Sequence, residues 1–354
     1  MQSPADPTRL HRHHTPLLDA VRRNCHISDA LHAGEYTLCV YLLKMREYFR
    51  WEKGYPFSTP LPNADVGAWL REREQFWETL ENEPFAELPI NGDRYDPFDA
   101  AAVNRILNPE GLVYSAGIGQ YGRPHFFLGR LEQRQEQADF TILVSADEYA
   151  RDLAAPPAMT LDRTIFVRRE SLRRMIWEKI EEWRWNRPDN AMGRAIRCYD
   201  FEGDADAALD RMTATQIDTL LLHEVGEVMA GQILGPRWEE MLAALPRSQT
   251  EFALRAIRDN LADSLSTLPA LVQRSEPATL HFFFATLTPM RKALAPALVL
   301  AYESWLKSGA TAALEDYAAQ ARPHWRGLAL QLLDAHGRGA AVAELQALID
   351  RNPL

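Results

Sequence analysis

Through most of this chain apolar residues recur at three- and four-residue steps; only one stretch near the middle runs β-like. The first periodic segment is 29–53, where Leu38, Tyr41, Leu42, Met45 and Phe49 share a face that ends at Glu52. Gly54, Pro56, Pro60 and Pro62 stop it. A second helix is expected over 64–81, with Asn63 as N-cap and Val66, Trp69, Leu70, Phe76, Trp77 and Leu80 apolar. The segment 84–111 is rich in turn residues and leaves room for one short helix, 98–107. Strands are expected at 112–118, 125–131, 140–145 and 164–167, the first three as a meander or hairpin. From 170 onward helix follows helix: 170–186, 206–211, 214–234, 237–244, 249–268, 277–287, 290–308, 310–321, 323–336 and 339–350. Proline and glycine punctuate these helices. Residues 1–15, with the His11–His14 cluster, have no periodicity and read as a flexible leader.

The pattern predicts an α+β protein, predominantly α-helical: a helical bundle with a small antiparallel β-sheet in the 110–167 region. The segments are the leader, an N-terminal helical region 16–90, a β-containing region 91–167 and a helical domain 168–354 carrying the candidate site. A chain of 354 residues buries a large core without needing disulfides or a structural metal.

Charge narrows the partners. With 39 Lys and Arg against 49 Asp and Glu, the net charge is −10. That disfavours general binding to nucleic acid or an anionic membrane, and a small-molecule or peptide substrate is expected instead. The arginines at 168, 169, 173 and 174 read as a solvated helix face. Neither 38–43 nor 282–287, the longest apolar runs, approaches the about 20 residues of a spanning helix. Cys25, Cys39 and Cys198 form no CxxC pair, and the first ten residues hold no apolar signal core, so a cytoplasmic location is expected. Oligomeric state is left open.

The sharpest chemical signal is Leu221-Leu222-His223-Glu224-Val225-Gly226-Glu227-Val228-Met229-Ala230. On a helix, i and i+4 share a face, so His223 and Glu227 lie together amid apolar neighbours. Burying an imidazole and a carboxylate without a partner is costly, and a metal is one partner that removes the cost. Gly226 and Gly231 each weaken a helix by about 1 kcal/mol relative to Ala, which close approach of another backbone would offset. The alternative is an ionic network, with Arg255 and Arg258 paired to Asp259, Glu227 and Asp263.

The stretch resembles the H-E-x-x-H helix of zincin metallopeptidases, with Glu227 in place of the second His. Downstream, Asp259-Asn260-Leu261-Ala262-Asp263 resembles the E-x-x-A-D pattern of the gluzincin branch, with Asp259 in place of the Glu. The resemblance spans about 50 residues. It implies metal ligands His223, Glu227 and Asp259, a general base Glu224, and Asp263 orienting His223. Arg255, on the same helix as Asp259, is a further residue expected around the site. It also implies a divalent metal, zinc first, with iron or manganese as the alternative for so carboxylate-rich a set. Beyond this stretch the chain resembles an uncharacterised bacterial family with no activity attached.

Other candidates are weaker. His281, in the aromatic segment 280–284, is a candidate fourth ligand or oxyanion donor, against the role of a core histidine. His32 and Glu35 resemble, in reverse order, the Glu-x-x-His pairs of di-iron bundles, with Glu178 as a further carboxylate. The opposing reading is a polar seam in which Glu35, Arg46 and Glu47 are tied by salt bridges. The glycines at 117, 119 and 122 read as a β-turn, since no helix follows them. Three functions compete: a zincin-like hydrolase, a non-heme iron or manganese oxidoreductase, and a non-catalytic binding or scaffold protein with a degenerate zincin-like core.

Overall fold

The computed structural model describes residues 14–119 and 122–354. It divides into two units: 1–178 with 202–213, and 179–201 with 214–354. The architecture is α+β and mainly helical, as the periodicity indicates. The leader expected over 1–15 lies outside the described residues except for its last two. His14 is buried against Glu110, its Nε2 2.6 Å from the carboxylate, and helix α1 starts at Thr15.

In the first unit α1 (Thr15–His32), α2 (Leu38–Lys53) and α3 (Asn63–Glu78) precede a β-ribbon of β1 (Leu88–Ile90) and β2 (Asp93–Tyr95). The single helix expected over 29–53 is in fact two. A short 3₁₀ turn, Ala33–Glu35, and an extended Thr37 separate them. The backbone leaves the helix beside Gly34, a poor helix former. Asn63 opens α3, with Pro62 in the cap position expected for Asn63.

Helix α4 (Ala100–Leu107) leads into a five-stranded sheet, β3 (Leu112–Ile118), β4 (Pro124–Glu136), β5 (Thr141–Arg151), β6 (Ala158–Leu161) and β7 (Thr164–Arg168), in the order β3-β4-β5-β7-β6. The β3-β4-β5 part is the antiparallel meander expected. β7 then pairs parallel to β5, so the sheet is mixed rather than purely antiparallel. Its apolar face packs on α1 and α4 through Val21, Val103, Tyr114 and Leu128, all 0 % exposed. Gly119, just past β3, donates its N–H to the Arg123 carbonyl, just before β4; residues 120 and 121 of the expected β-turn lie outside the described residues.

A second cluster in this unit gathers His26, Trp69 and Trp77 from α1 and α3. Trp77 Nε1 donates to His26 Nδ1 at 3.3 Å, and Arg73 Nη1 stands 3.0 Å from its Nε2. Burial and the Arg73 guanidinium lower the His26 pKa from 6.5 to about 3. The unfolded chain therefore binds a proton between pH 6.5 and 3 that the folded chain refuses, so stability falls as pH drops through that window. The expected loss is on the order of 2–4 kcal/mol, and chemical denaturation at pH 7 and pH 4 measures it. His26→Gln should flatten that slope; an unchanged slope would place its origin elsewhere.

The second unit is helical: α5 (Arg169–Asn186) enters it at 179, followed by α6 (Ala191–Arg197), α7 (Ala205–Leu234, in this unit from 214), α8 (Pro236–Ala244) and α9 (Gln249–Ala262). A π-helical turn, Asp263–Thr267, joins α9 to α10 (Leu268–Arg274). Then come α11 (Pro277–Thr286), α12 (Pro289–Leu294), α13 (Pro296–Ser308), α14 (Ala312–Gly337) and α15 (Val342–Asp350). Trp238 and Trp325 are 1 % and 0 % exposed at the centre of this core.

Several boundaries differ from the sequence pattern. α7 is one helix, where two were expected at 206–211 and 214–234; Thr213 turns its hydroxyl back onto the Leu209 carbonyl instead of breaking the helix. Pro296 splits the expected 290–308 helix because it forces Ala295 out of helical geometry. Pro323, by contrast, lies inside α14. An interior proline costs about 3 kcal/mol, and the buried Tyr317, Ala321, Trp325 and Leu328 on both flanks offset it. No helix among the described residues is long and apolar enough to cross a membrane.

Candidate metal centre

His223, Glu227 and Asp259 each offer an atom within 4.8 Å of the others. Two come from α7 and the third from α9. What permits the approach is Gly226. A Cβ there would stand 2.8 Å from the Ala262 carbonyl carbon and closer still to its oxygen, so the helices cross backbone to backbone. Gly231 does not play this part: a Cβ on it meets nothing within 4 Å, and the expectation of a close neighbour fails for that residue.

The imidazole is held from behind. His223 Nδ1 is 2.8 Å from Asp263 Oδ1. Thr267 Oγ1 donates to the same oxygen at 2.8 Å, and Arg291 Nη2 pairs with the other. Asp263 and Thr267 are the first and last residues of the π turn, and π turns are frequent at functional sites. Because Nδ1–H faces the carboxylate, Nε2 faces Glu227, whose Oε1 is 3.5 Å away. Two ligands at about 2.1 Å from a tetrahedral ion are about 3.4 Å apart, so this separation fits a shared cation. The side chains of His223 and Glu227 are 24 % and 23 % exposed, which leaves the site open to solvent.

The charges are tightly matched. Burial alone would lower the His223 pKa, but Asp263 and Glu227 hold it well above 6.5. Burial opposes ionisation of Asp263 too, yet Arg291 and His223 keep it well below the usual carboxylate range. Glu227 is lowered in the same way, by His223 and Arg258 acting against burial. Asp259 goes the other way, because burial outweighs the more distant Arg291. A proton on His223 thus occupies the position in the charge balance that a divalent ion would take.

Arg255 does not join this group. It pairs with Glu251, one turn back on α9. Arg258 reaches Glu227 at 3.4 Å and Glu239 at 2.9 Å, so the ionic-network alternative holds for this one arginine. Arg291, the partner of Asp263, has no local sequence signal; it sits behind Pro289 on a six-residue helix. Glu224 is 7 % exposed, one position and about 100° round α7 from His223. His281 is not in the group either. Its Nδ1 is 2.8 Å from the Tyr302 hydroxyl and its ring packs on Trp305; burial, with Arg194 and Arg197 nearby, lowers its pKa to about 4.

The N-terminal set does not converge. His32 pairs with Glu35 at 2.8 Å, Glu35 with Arg123 at 2.7 Å, and Glu178 with Arg174 at 2.7 Å. Salt bridges do hold these residues, but not in the expected seam of Glu35, Arg46 and Glu47: Glu35 pairs with Arg123, while Glu47 pairs with Arg50 at 2.9 Å and stands 3.8 Å from Arg46. Nor are the arginines around 170 a solvated face. Arg168 is 2 % exposed and doubly bonded to Glu148, and Arg174 is 6 % exposed.

A family model for an N-terminal domain matches residues 16–168, and a companion C-terminal model matches 173–352. The chain belongs to the family of unknown function DUF6866. The C-terminal match contains every residue of the candidate centre. No curated protein and no solved structure matches the chain.

Proposed function

We propose that this protein is a metal-dependent hydrolase whose divalent cation is held by His223, Glu227 and Asp259. The supporting observation is the convergence of three ligand atoms within 4.8 Å, on an imidazole already oriented by Asp263. When bound, the cation would supply Lewis acidity to a substrate carbonyl and acidify a water. Asp263 fixes the tautomer that leaves His223 Nε2 free to ligate, and Arg291 keeps Asp263 ionised for that task. Glu224, at the position that the zincin resemblance gives to the general base, would take the proton of the attacking water and pass it to the leaving group. The substrate class is a peptide or a small ester or amide. His281 has no part in this reading, since its free face is turned to Tyr302 and Trp305.

Zinc is the first expectation. Two carboxylates beside one imidazole also suit iron or manganese, the reading of a non-heme oxidoreductase. Metal analysis of untagged protein lacking residues 1–13 separates the two, run beside His223→Ala and Glu227→Gln. About one equivalent of zinc, lost in both variants, supports the hydrolase. Iron or manganese at one to two equivalents favours the oxidoreductase. No metal in any sample after reconstitution would defeat both and leave His223, Glu227, Asp263, Arg258 and Arg291 as a structural ionic network.

A further inference from the structure

The first unit holds a separate cavity of about 400 Å³, within the size range of small-molecule sites. Trp51, Tyr55 and Phe57 form its apolar wall, and six arginines and six acidic residues line most of the remainder. Five of the six have a carboxylate within ion-pair reach; Arg169 is 2.8 Å from Glu132 and Arg173 2.5 Å from Asp210.

Arg151 is the exception among the described residues. It is 3 % exposed, and its guanidinium carbon lies 4.8 Å from the Trp51 ring centre and 5.3 Å from that of Tyr48. Its Nη2 makes a long 3.4 Å bond to the Glu47 carbonyl, and its Nε is buried with no acceptor. Arginine is almost never buried this deeply without an anion. Glu170, also on the wall, does not serve as that anion. Its Oε2 accepts from the Glu148 N–H at 2.6 Å, and burial, with the neighbouring Glu148 carboxylate, pushes its pKa up to about 8.

The other unsatisfied atoms agree in sign. Among the wall residues, the buried polar atoms without a partner are N–H groups of Arg50, Trp51, Arg151 and Arg174. Every one is a donor. The wall therefore has surplus donors and, beside three aromatic rings, one cation with no carboxylate in ion-pair reach; the nearby Glu148 acts on Arg151 but is itself doubly bonded to Arg168. Acceptor-rich oxyanions match the guanidinium fork, and planar rings match the aromatic wall.

We propose that this cavity binds a small organic oxyanion, a carboxylate or phosphate ester carried on a ring-sized apolar body, with Arg151 anchoring the anion. The site lies wholly within the first unit and does not depend on the metal reading.

The test is titration of the full chain at pH 7 with phenyl phosphate, phenylacetate, inorganic phosphate and benzyl alcohol. Ligand-observed NMR and tryptophan fluorescence report binding. At least one ring-bearing anion should bind with Kd below about 1 mM, and benzyl alcohol and inorganic phosphate at least about tenfold more weakly. Whichever of phenyl phosphate and phenylacetate binds more tightly identifies the headgroup. Arg151→Leu should weaken binding by at least about tenfold. Because Arg151 is also packed between rings, Ala146→Leu is the second variant: it fills the cavity from β5, keeps the arginine and should block the same ligand. Three results would overturn the proposal: no ring-bearing anion bound at about 10 mM, benzyl alcohol or inorganic phosphate as tight as the anions, or unchanged affinity in the folded variants.

Discussion

Asp263→Ala is expected to cost the fold about 3–5 kcal/mol, the largest single effect at the candidate centre. The carboxylate is 4 % exposed and faces His223, Thr267 and Arg291 together. Removing it leaves the Arg291 guanidinium, itself 9 % exposed, without its anion and with only Asn260 Oδ1 at 3.0 Å. It also frees the His223 ring to rotate. Asp263→Asn keeps the shape and one acceptor and should lose less than half as much. Urea denaturation in chelator measures both; a cost below about 1 kcal/mol for the alanine variant would mean that the carboxylate does not hold these groups. The pH dependence has a definite sign. The folded pKa lies below the ordinary value of 3.8, so the stabilisation is present above that pH and is lost as pH falls toward the folded value. Both variants should lose this acid limb.

Gly226→Ala and Gly231→Ala should move stability in opposite directions, although both replace a glycine on the same helix. At Gly231, exposed with nothing within 4 Å, alanine should stabilise by up to about 1 kcal/mol through helix propensity. At Gly226 the same gain meets the Ala262 carbonyl group, and no flexible side chain is there to yield. Overpacking of this kind costs about 1–3 kcal/mol, and here the obstacle is backbone. The helices must separate, which moves His223 and Glu227 away from Asp259. Thermal melts with and without added metal should therefore show two losses for Gly226→Ala, in stability and in any metal-dependent stabilisation. Equal and favourable shifts for the two variants would contradict the close crossing of α7 and α9.

The sequence pattern was a good guide wherever burial follows local periodicity. The helices at 170–186, 237–244 and 277–287 and the strand at 112–118 stand within a residue or two of the pattern. It was a poor guide where distant packing overrides a local preference. Pro323 inside α14 and the fused α7 are held by the core around them. β6 consists of Ala158–Leu161, four half-buried residues with no marked alternation; its partner β7 defines it as a strand.

The candidate site divides along the same line. The i, i+4 spacing puts His223 over Glu227 and Asp259 over Asp263, because helix geometry turns sequence separation directly into a shared face. Gly226 marks the crossing for the same reason: a missing side chain is visible in a sequence. The partner that keeps Asp263 ionised is not. Arg291 lies 28 residues beyond it and the sequence offered Arg255 instead, which the fold turns toward Glu251. The sequence likewise held no sign that Arg151 would be buried among aromatic rings without an ion-paired carboxylate, since its strand shows only an arginine at the end of β5. Local periodicity determined the elements and the faces of this protein. Which charge meets which was decided by tertiary structure, because pairing of buried ions depends on distances between segments that no spacing along the chain encodes.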